Sequence, residues 1–112
     1  MTERHDVEVG KTEGLFREVN ERIEDLSRGL AAVSDGNMHV VCECGNGECA
    51  EQIPVPTAEY EQIRSDPMEF IVIPGHEIPS TETVVARRDG YVVVRKEGDV
   101  PEAVAEATDP RP

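Results

Sequence analysis

C-E-C-G-N-G-E-C, residues 42–49, contains all three cysteines of this chain. The cysteines are spaced C-x-C-x4-C, and the two glycines after the second cysteine allow the backbone to turn tightly. Three thiolates that converge from so short a segment can bind one ion without help from distant parts of the chain. The segment therefore predicts that residues 42–49 form a metal knuckle.

A fourth ligand is needed, because structural zinc sites are tetrahedral and commonly contain four cysteines or three cysteines and a histidine. The chain has no fourth cysteine, so the candidates are its three histidines. His5 lies in a polar N-terminal segment, and His39 precedes the knuckle in a strand that would point it to the opposite face. His76 follows a Pro-Gly pair at the end of a predicted strand, where a turn can present it to the knuckle. We therefore predict a Zn2+ site formed by Cys42, Cys44, Cys49 and His76.

The same residues allow other chemistries. An iron–sulfur cluster can be held by three cysteines and a histidine, and reduced thiols can act as a redox or metal sensor. A small metalloenzyme is a third alternative, with Glu77 as the general base. Four protein ligands leave no open position for a catalytic water, which favours a structural zinc ion and no catalytic residue. We expect the acidic residues Glu43, Glu48 and Glu77 to lie on the surface.

The composition also favours a metal-stabilised domain. A length of 112 residues is typical of one domain, and an apolar content of 38% without any tryptophan limits the core. A structural zinc ion contributes on the order of 10 kcal/mol at neutral pH, which can decide whether such a chain folds. We expect a single domain over residues 12–107, with flexible segments at 1–11 and 108–112.

Charge and hydropathy limit the classes of partner. The net charge of −13 disfavours nucleic acid, because phosphate binding depends on lysine and arginine. No apolar run reaches the roughly 18 residues of a membrane span, and the N-terminus lacks the pattern of a signal peptide. These features predict a cytoplasmic protein with reduced thiols.

An amphipathic helix is predicted to begin at about Thr12 and to end no later than residues 34–36. Its apolar stripe recurs at spacings of 3, 4, 3 and 4 residues and consists of Phe16, Val19, Ile23, Leu26 and Leu30. Opposite charges four residues apart, as in Glu13–Arg17 and Glu18–Arg22, indicate the face exposed to water. We expect the apolar stripe to pack on the domain's own sheet. A homodimer through this stripe is the alternative, although two heptads are short for a coiled coil.

The remaining elements are short and complete an α+β fold. Strands are predicted at residues 38–42 and 52–55, followed by a helix over 57–64 with Thr57 as its N-cap. A strand at 70–73 and a hairpin of strands 83–87 and 91–95 would complete a small, mostly antiparallel sheet. A last helix over 101–107 precedes the C-terminal tail.

Two groups of polar residues outside the knuckle have structural interpretations. Tyr60 and Arg64 share a helix face and could grip an anion, but we expect a tyrosine at the core edge beneath the arginine stem. The hairpin carries four cations that could bind an acidic partner, although we expect them to discourage edge-strand association. These cations are Arg87, Arg88, Arg95 and Lys96.

Most of the chain resembles a group of short bacterial proteins of unknown function. The residues that carry the resemblance are Cys42-Glu43-Cys44, Cys49, Thr57, Glu59-Tyr60, Arg64, Pro67, Phe70, Pro74-Gly75-His76-Glu77 and Tyr91-Val92-Val93-Val94. Residues 16–23 also resemble that group. The resemblance implies no established activity, but it implies that His76 belongs with the cysteines.

These observations predict a small zinc-stabilised module that binds another protein. The metal would complete a core that the chain cannot build from apolar side chains alone. A thiol-based redox or metal sensor that uses the same cysteines is the second hypothesis.

Overall fold

The computed structural model describes residues 2–30, 37–49 and 51–111 of the chain. Its helices and strands are α1 (Thr2–Leu30), β1 (Asn37–Val41), β2 (Gln52–Pro56), α2 (Thr57–Arg64), β3 (Glu69–Val72), β4 (Glu82–Arg88), β5 (Tyr91–Lys96) and α3 (Asp99–Ala107). The predicted α+β class is confirmed, and α2 ends at Arg64 as predicted. α1 begins ten residues before the predicted start, at Thr2 instead of residue 12.

The described strands form two antiparallel sheets where the sequence predicted one. β1 pairs with β2, so that Val40 lies opposite Ile53 and the knuckle connects the two strands. β5 lies between β3 and β4 in the second sheet. Residues 91–94 of β5 are buried on both faces, which explains their continuous apolar run. β1 alternates between buried and more exposed positions, because only one of its faces meets the core.

The predicted N-cap of α2 is wrong by one residue. Pro56 occupies the cap position with an extended backbone (φ −56°, ψ 133°), and Thr57 is the first residue inside the helix. The helix turns Tyr60, Ile63 and Arg64 into the core. Tyr60 is therefore fully buried and does not lie at the core edge.

α1 contacts the rest of the domain with a polar face. Glu13, Arg17, Asn20 and Glu24 recur at helical spacing, and all four are buried. The predicted surface pair of Glu13 and Arg17 therefore faces inward. Glu18 and Arg22 do form the predicted exposed pair, with Glu18 Oε1 3.7 Å from Arg22 Nη2.

The expectation that the apolar stripe packs on the domain's own sheet is wrong for two of its members. Val19 is 37% exposed and Leu26 is 74% exposed, and the neighbouring Leu15 is 57% exposed. Ile23 is partly buried and contacts the edge of the core. The side chain of Leu30 lies outside the described residues.

Backbone groups of α3, of β1 and of the loop before β3 explain why the polar face of α1 points inward. The Arg17 guanidinium donates to the carbonyls of Pro67 and Ala105 at 2.5 Å and 2.6 Å, and it stacks 4.4 Å from the centre of the Phe70 ring. Asn20 forms hydrogen bonds with both the N–H and the carbonyl of Val41. Buried backbone groups without a partner are costly, so side chains that can satisfy them are favoured at this interface over apolar ones.

Two glycines allow α1 to approach α3 closely. A Cβ atom on Gly10 would lie 2.6 Å from a methyl carbon of Val104, and one on Gly14 would lie 2.6 Å from Thr108. Such distances are well below van der Waals contact, so larger residues would push the helices apart. The G-x3-G spacing on one face of α1 therefore has a packing role.

The C-terminal tail returns to α1 and α2. Arg111 forms hydrogen bonds with the carboxylates of Glu21 and Glu61, and it lies 3.6 Å from Glu24. The hydrogen bond with Glu21 is the largest cause that raises the pKa of Arg111. Tyr60 also donates to Glu21 at 2.7 Å, which connects the tail to the core. The domain limits at residues 12–107 and the flexibility expected at both ends remain predictions.

One of the four hairpin cations is not on the surface. Lys96 is buried, and its Nζ lies 2.5 Å from Glu13 Oε1 and 2.6 Å from Glu82 Oε2. The other cations are more exposed: Arg88 pairs with Glu59, and Arg95 pairs with Asp66. The expected four-cation surface is therefore wrong at Lys96, because this side chain contacts two buried carboxyl groups between α1 and the second sheet.

Candidate metal centre

The knuckle begins where β1 ends. The Cys42 N–H donates to the carbonyl of Glu51 at 2.9 Å, which extends the pairing of the two chain segments beyond the strands. A tight turn then reverses the chain, in which the Cys49 N–H donates to the carbonyl of Asn46 at 3.0 Å. The Asn46 side chain accepts a bond from the Glu48 N–H at 3.0 Å, as asparagine often does in turns. These bonds return Cys49 toward the first two cysteines.

A second turn, between β3 and β4, presents His76. The His76 N–H donates to the carbonyl of Ile73 at 2.9 Å, and Gly75 between them has a φ of 95°, which glycine adopts at little cost. The Gly75 N–H donates to the Glu77 carboxylate at 2.6 Å. The Pro-Gly pair identified in the sequence therefore forms the turn that carries His76 to the knuckle.

The side chains of Cys42, Cys44, Cys49 and His76 converge. His76 Nδ1 lies 3.6 Å from Cys42 Sγ and 3.7 Å from Cys49 Sγ. All four potential ligand atoms lie within 4.8 Å of one another. With Zn–S and Zn–N distances of about 2.3 Å and 2.0 Å, a tetrahedral ion requires S···N separations of about 3.6 Å. The measured separations agree, so these residues could hold a metal ion.

The charge state of the thiols depends on a bound cation. Burial raises the pKa of the Cys42 thiol to about 12, and burial also raises the pKa of the Cys44 thiol. Backbone groups act in the opposite direction, since Ile73 N–H donates to Cys42 Sγ at 3.3 Å and Asn46 N–H donates to Cys44. In the metal-free state Cys42 therefore stays protonated at neutral pH, and metal binding as thiolates must release protons.

Glu43, expected on the surface, is 0% exposed. Its Oε1 accepts hydrogen bonds from Arg64 at 3.0 Å and from the Ile71 N–H at 2.9 Å. Its Oε2 accepts a bond from the Asn20 side chain at 2.7 Å. The expectation failed because a buried arginine requires an anionic partner, and Glu43 is the carboxylate that reaches it.

Glu43 joins the knuckle to three other elements. It lies between two candidate ligands and contacts α1 through Asn20, α2 through Arg64 and β3 through Ile71. Successive side chains in an extended segment point to opposite sides, so Cys42 and Cys44 face the candidate centre while Glu43 faces this polar network. The anion that Arg64 binds is therefore internal to the domain.

An open cleft of about 430 Å³ lies beside the candidate centre. Cys44 and His76 form one part of its wall, and His5 and Val9 of α1 form another. His5, expected in a polar tail, instead lies in α1 and lines the cleft, because α1 begins earlier than predicted. His39 is exposed on β1 and is not among the four converging residues, as predicted.

Glu77, the candidate general base, is engaged within its own turn. Its carboxylate accepts the hydrogen bond from Gly75, and such backbone bonds are the largest cause that lowers its pKa. A lowered pKa makes a carboxylate a weaker base. The position of Glu77 therefore gives no support to a hydrolytic role.

Three comparisons with known proteins accompany this geometry. No protein-family model matches the chain, and no curated protein or solved structure matches it significantly. No helix in the described ranges combines the length and apolar character that a membrane crossing requires. Function must therefore be inferred from the residues of the chain, and first from the converging cysteines and histidine.

Proposed function

We propose that this protein is a small protein-interaction module whose fold is stabilised by a zinc ion bound to Cys42, Cys44, Cys49 and His76. The observation that carries the proposal is the convergence of three sulfur atoms and His76 Nδ1 within 4.8 Å. Zinc is the metal that such a donor set most commonly binds in structural sites. The ion would supply positive charge to three buried or partly buried sulfur atoms and would cross-link the two turns.

The donor set favours a structural ion over a catalytic one. Four protein ligands complete the tetrahedral shell of zinc, whereas catalytic sites keep a position for water or substrate. The ion would also connect β1 and β2 with the turn after β3, which belong to different sheets. We propose that this stable scaffold binds another protein, and the resemblance to short bacterial proteins is part of the same proposal. We infer a reducing, cytoplasmic compartment from the three free cysteines.

The first test is the metal content of the protein purified without a metal-binding tag. We expect one zinc per chain and a melting temperature that falls when a chelator removes the ion. Iron content with visible absorbance would indicate that the site holds an iron–sulfur cluster and not zinc. A folded protein that contains no metal and does not gain stability from added zinc would refute the proposal.

Substitutions test the ligand assignment. Cys44→Ser and His76→Ala should lower zinc affinity by more than the roughly 10- to 100-fold that is typical of outer-shell changes. His39→Ala is the matched control, because His39 is exposed on β1. Both affinity and melting temperature should be unchanged in the control. Unchanged zinc binding in His76→Ala would contradict the assignment.

A thiol sensor is the second candidate, and the cleft is the observation that favours it. Cys44 and His76 line an open cleft, so a small oxidant can reach the site from solvent. Peroxide could oxidise two cysteines to a disulfide while it is reduced to water, and the zinc would be released. Stoichiometric zinc release by mild peroxide, reversed by dithiothreitol, would favour the sensor. Retention of zinc under the same conditions would favour the structural site.

A further inference from the structure

The two faces of α1 are reversed relative to an ordinary surface helix. The inward face carries Glu13, Arg17, Asn20 and Glu24, whereas the outer stripe consists of Leu15, Val19 and Leu26 with Phe16 and Ile23 at its edge. The inward side chains hold the helix in this orientation through hydrogen bonds with α3 and β1. Rotating the helix to bury the outer stripe would break those bonds. The stripe must therefore stay outside or meet another molecule.

We propose that the outer stripe binds the same stripe of a second copy of this chain, as an antiparallel helix pair. The described body of the domain packs on the opposite face of α1, and Leu15, Val19 and Leu26 on the outer face are exposed. An isologous contact requires a surface that is complementary to itself. The outer stripe meets this requirement in both its apolar residues and its charges.

The apolar residues are complementary about a two-fold axis near residue 21. In an antiparallel pair this axis places Phe16 opposite Leu26 of the second copy and Val19 opposite Ile23 of the second copy. The spacings of 3, 4 and 3 residues between them are those of a helix-pairing seam. The pairing would cover Leu26, which is the most exposed of the large apolar side chains in the described part.

The charges favour the antiparallel direction. Glu18 and Arg22 lie on one flank of the outer stripe, and both are well exposed. The antiparallel pair brings Glu18 close to Arg22 of the second copy on the same flank. A parallel pair about a two-fold axis would instead place the two charged flanks on opposite sides of the interface, so Glu18 would not meet Arg22 of the second copy. This self-complementary pair is the reason to choose a second copy over an unrelated helix.

The contact is expected to be weak. The stripe from Phe16 to Leu26 spans about 15 Å at 1.5 Å per residue, and a helix pair of this length buries less than the roughly 1,200 Å² of a standard interface. The net charge of −13 on each copy also opposes association. Salt screens this repulsion, so the dimer should be tighter at about 0.5 M NaCl than at about 0.05 M. We expect a dissociation constant of roughly 10–100 µM.

Sedimentation equilibrium of the full, zinc-loaded chain from about 5 to about 500 µM tests this inference. Leu26→Glu should raise the dissociation constant at least about tenfold, which corresponds to about 1.4 kcal/mol. Val85→Glu is the matched control, because Val85 is 47% exposed on β4 and lies away from α1. The control should dimerise like the wild type.

A charge exchange tests the direction of the pair. Arg22→Glu alone should weaken the dimer, and Glu18→Arg combined with Arg22→Glu should restore it, because the exchange recreates both interhelical pairs. A chain that stays monomeric up to about 500 µM would overturn the inference. Equal weakening by Leu26→Glu and Val85→Glu would also overturn it, and so would a double exchange that fails to restore the dimer.

The proposed dimer deepens the proposed function and rests on it, because the helix contact requires a domain that zinc has stabilised in its folded state. Zinc content and circular dichroism of Leu26→Glu separate the two proposals. A monomeric variant that keeps its zinc and its helix content supports the dimer without affecting the metal site. A wild-type protein with zinc but no dimer would refute the dimer and leave the metal proposal intact.

Discussion

The substitution Glu13→Gln should change how the stability of this domain depends on pH. Glu13 and Glu82 both contact the ammonium group of Lys96, at 2.5 Å and 2.6 Å, and all three side chains are buried. One ammonium group can neutralise only one of the two carboxylates. Burial, together with the charge of Glu82, raises the pKa of Glu13 from 4.5 to about 8, against the opposing effect of Lys96.

The sign of the effect follows from proton binding. In the unfolded chain Glu13 loses its proton near pH 4.5, whereas in the folded domain it keeps the proton until about pH 8. Between these values the folded state binds one more proton than the unfolded state. Its contribution to stability is therefore complete below the unfolded pKa and is lost as the pH rises to about 8. The slope approaches about −1.4 kcal/mol per pH unit, or about 4 kcal/mol between about pH 5 and about pH 8.

Urea unfolding at several pH values with saturating zinc measures this effect. Glutamine resembles the protonated carboxyl group and cannot lose a proton, so the variant should gain stability relative to the wild type as the pH rises. The difference between the two proteins cancels the pH dependence of metal binding, because the four candidate ligands are unchanged. Glu8→Gln, at an exposed position of α1, is the control and should follow the wild type. Parallel curves for wild type and Glu13→Gln between about pH 5 and about pH 8 would refute the reasoning.

Three further substitutions test the packing described above. Glu43→Gln should lower the free energy of unfolding by about 3–5 kcal/mol, because it leaves a buried arginine without its anion. The exposed control Glu48→Gln should change the free energy of unfolding by less than about 0.5 kcal/mol. Gly10→Ala should lower the free energy of unfolding by about 1–3 kcal/mol, because the added methyl group overlaps α3. Gly47 faces open space, so Gly47→Ala should be nearly neutral, and equal effects of the two substitutions would contradict the close packing. Arg111→Ala should lower the free energy of unfolding modestly, by about 1 kcal/mol, and an unchanged urea midpoint would mean that the tail does not bind α1 and α2.

The α+β class and the converging residues were predictable because they depend on local sequence. Alternating apolar residues, proline and glycine are local signals for short strands and turns, and α2 was predicted to within one residue of its observed start. Three of the four converging residues come from eight consecutive positions, so their proximity needs no long-range information. His76 was found because a Pro-Gly turn is also a local signal.

The orientation of α1 and the burial of Glu43 and Lys96 could not be predicted from local patterns. Amphipathic analysis assumes that charged residues face water, and this assumption fails where buried backbone carbonyls and carboxylates offer partners. The acceptors of Arg17 are Pro67 and Ala105, which lie far away in the chain. The sequence contains one indication of the close contact between α1 and α3. Gly10 and Gly14 lie on the same side of α1 as its buried polar residues.

The alternation of Cys42, Glu43 and Cys44 restricts how this segment can vary. An insertion or deletion between the two cysteines would turn one sulfur toward Arg64 and the carboxylate toward the other sulfurs. Aspartate would be one methylene too short for the bonds that Glu43 makes with α1 and α2. The exposed residues 46–48 face no such restriction, and loops of this kind tolerate changes in length. A search for related chains should therefore require C-E-C with its asparagine and arginine partners, and leave the distance to the third cysteine open.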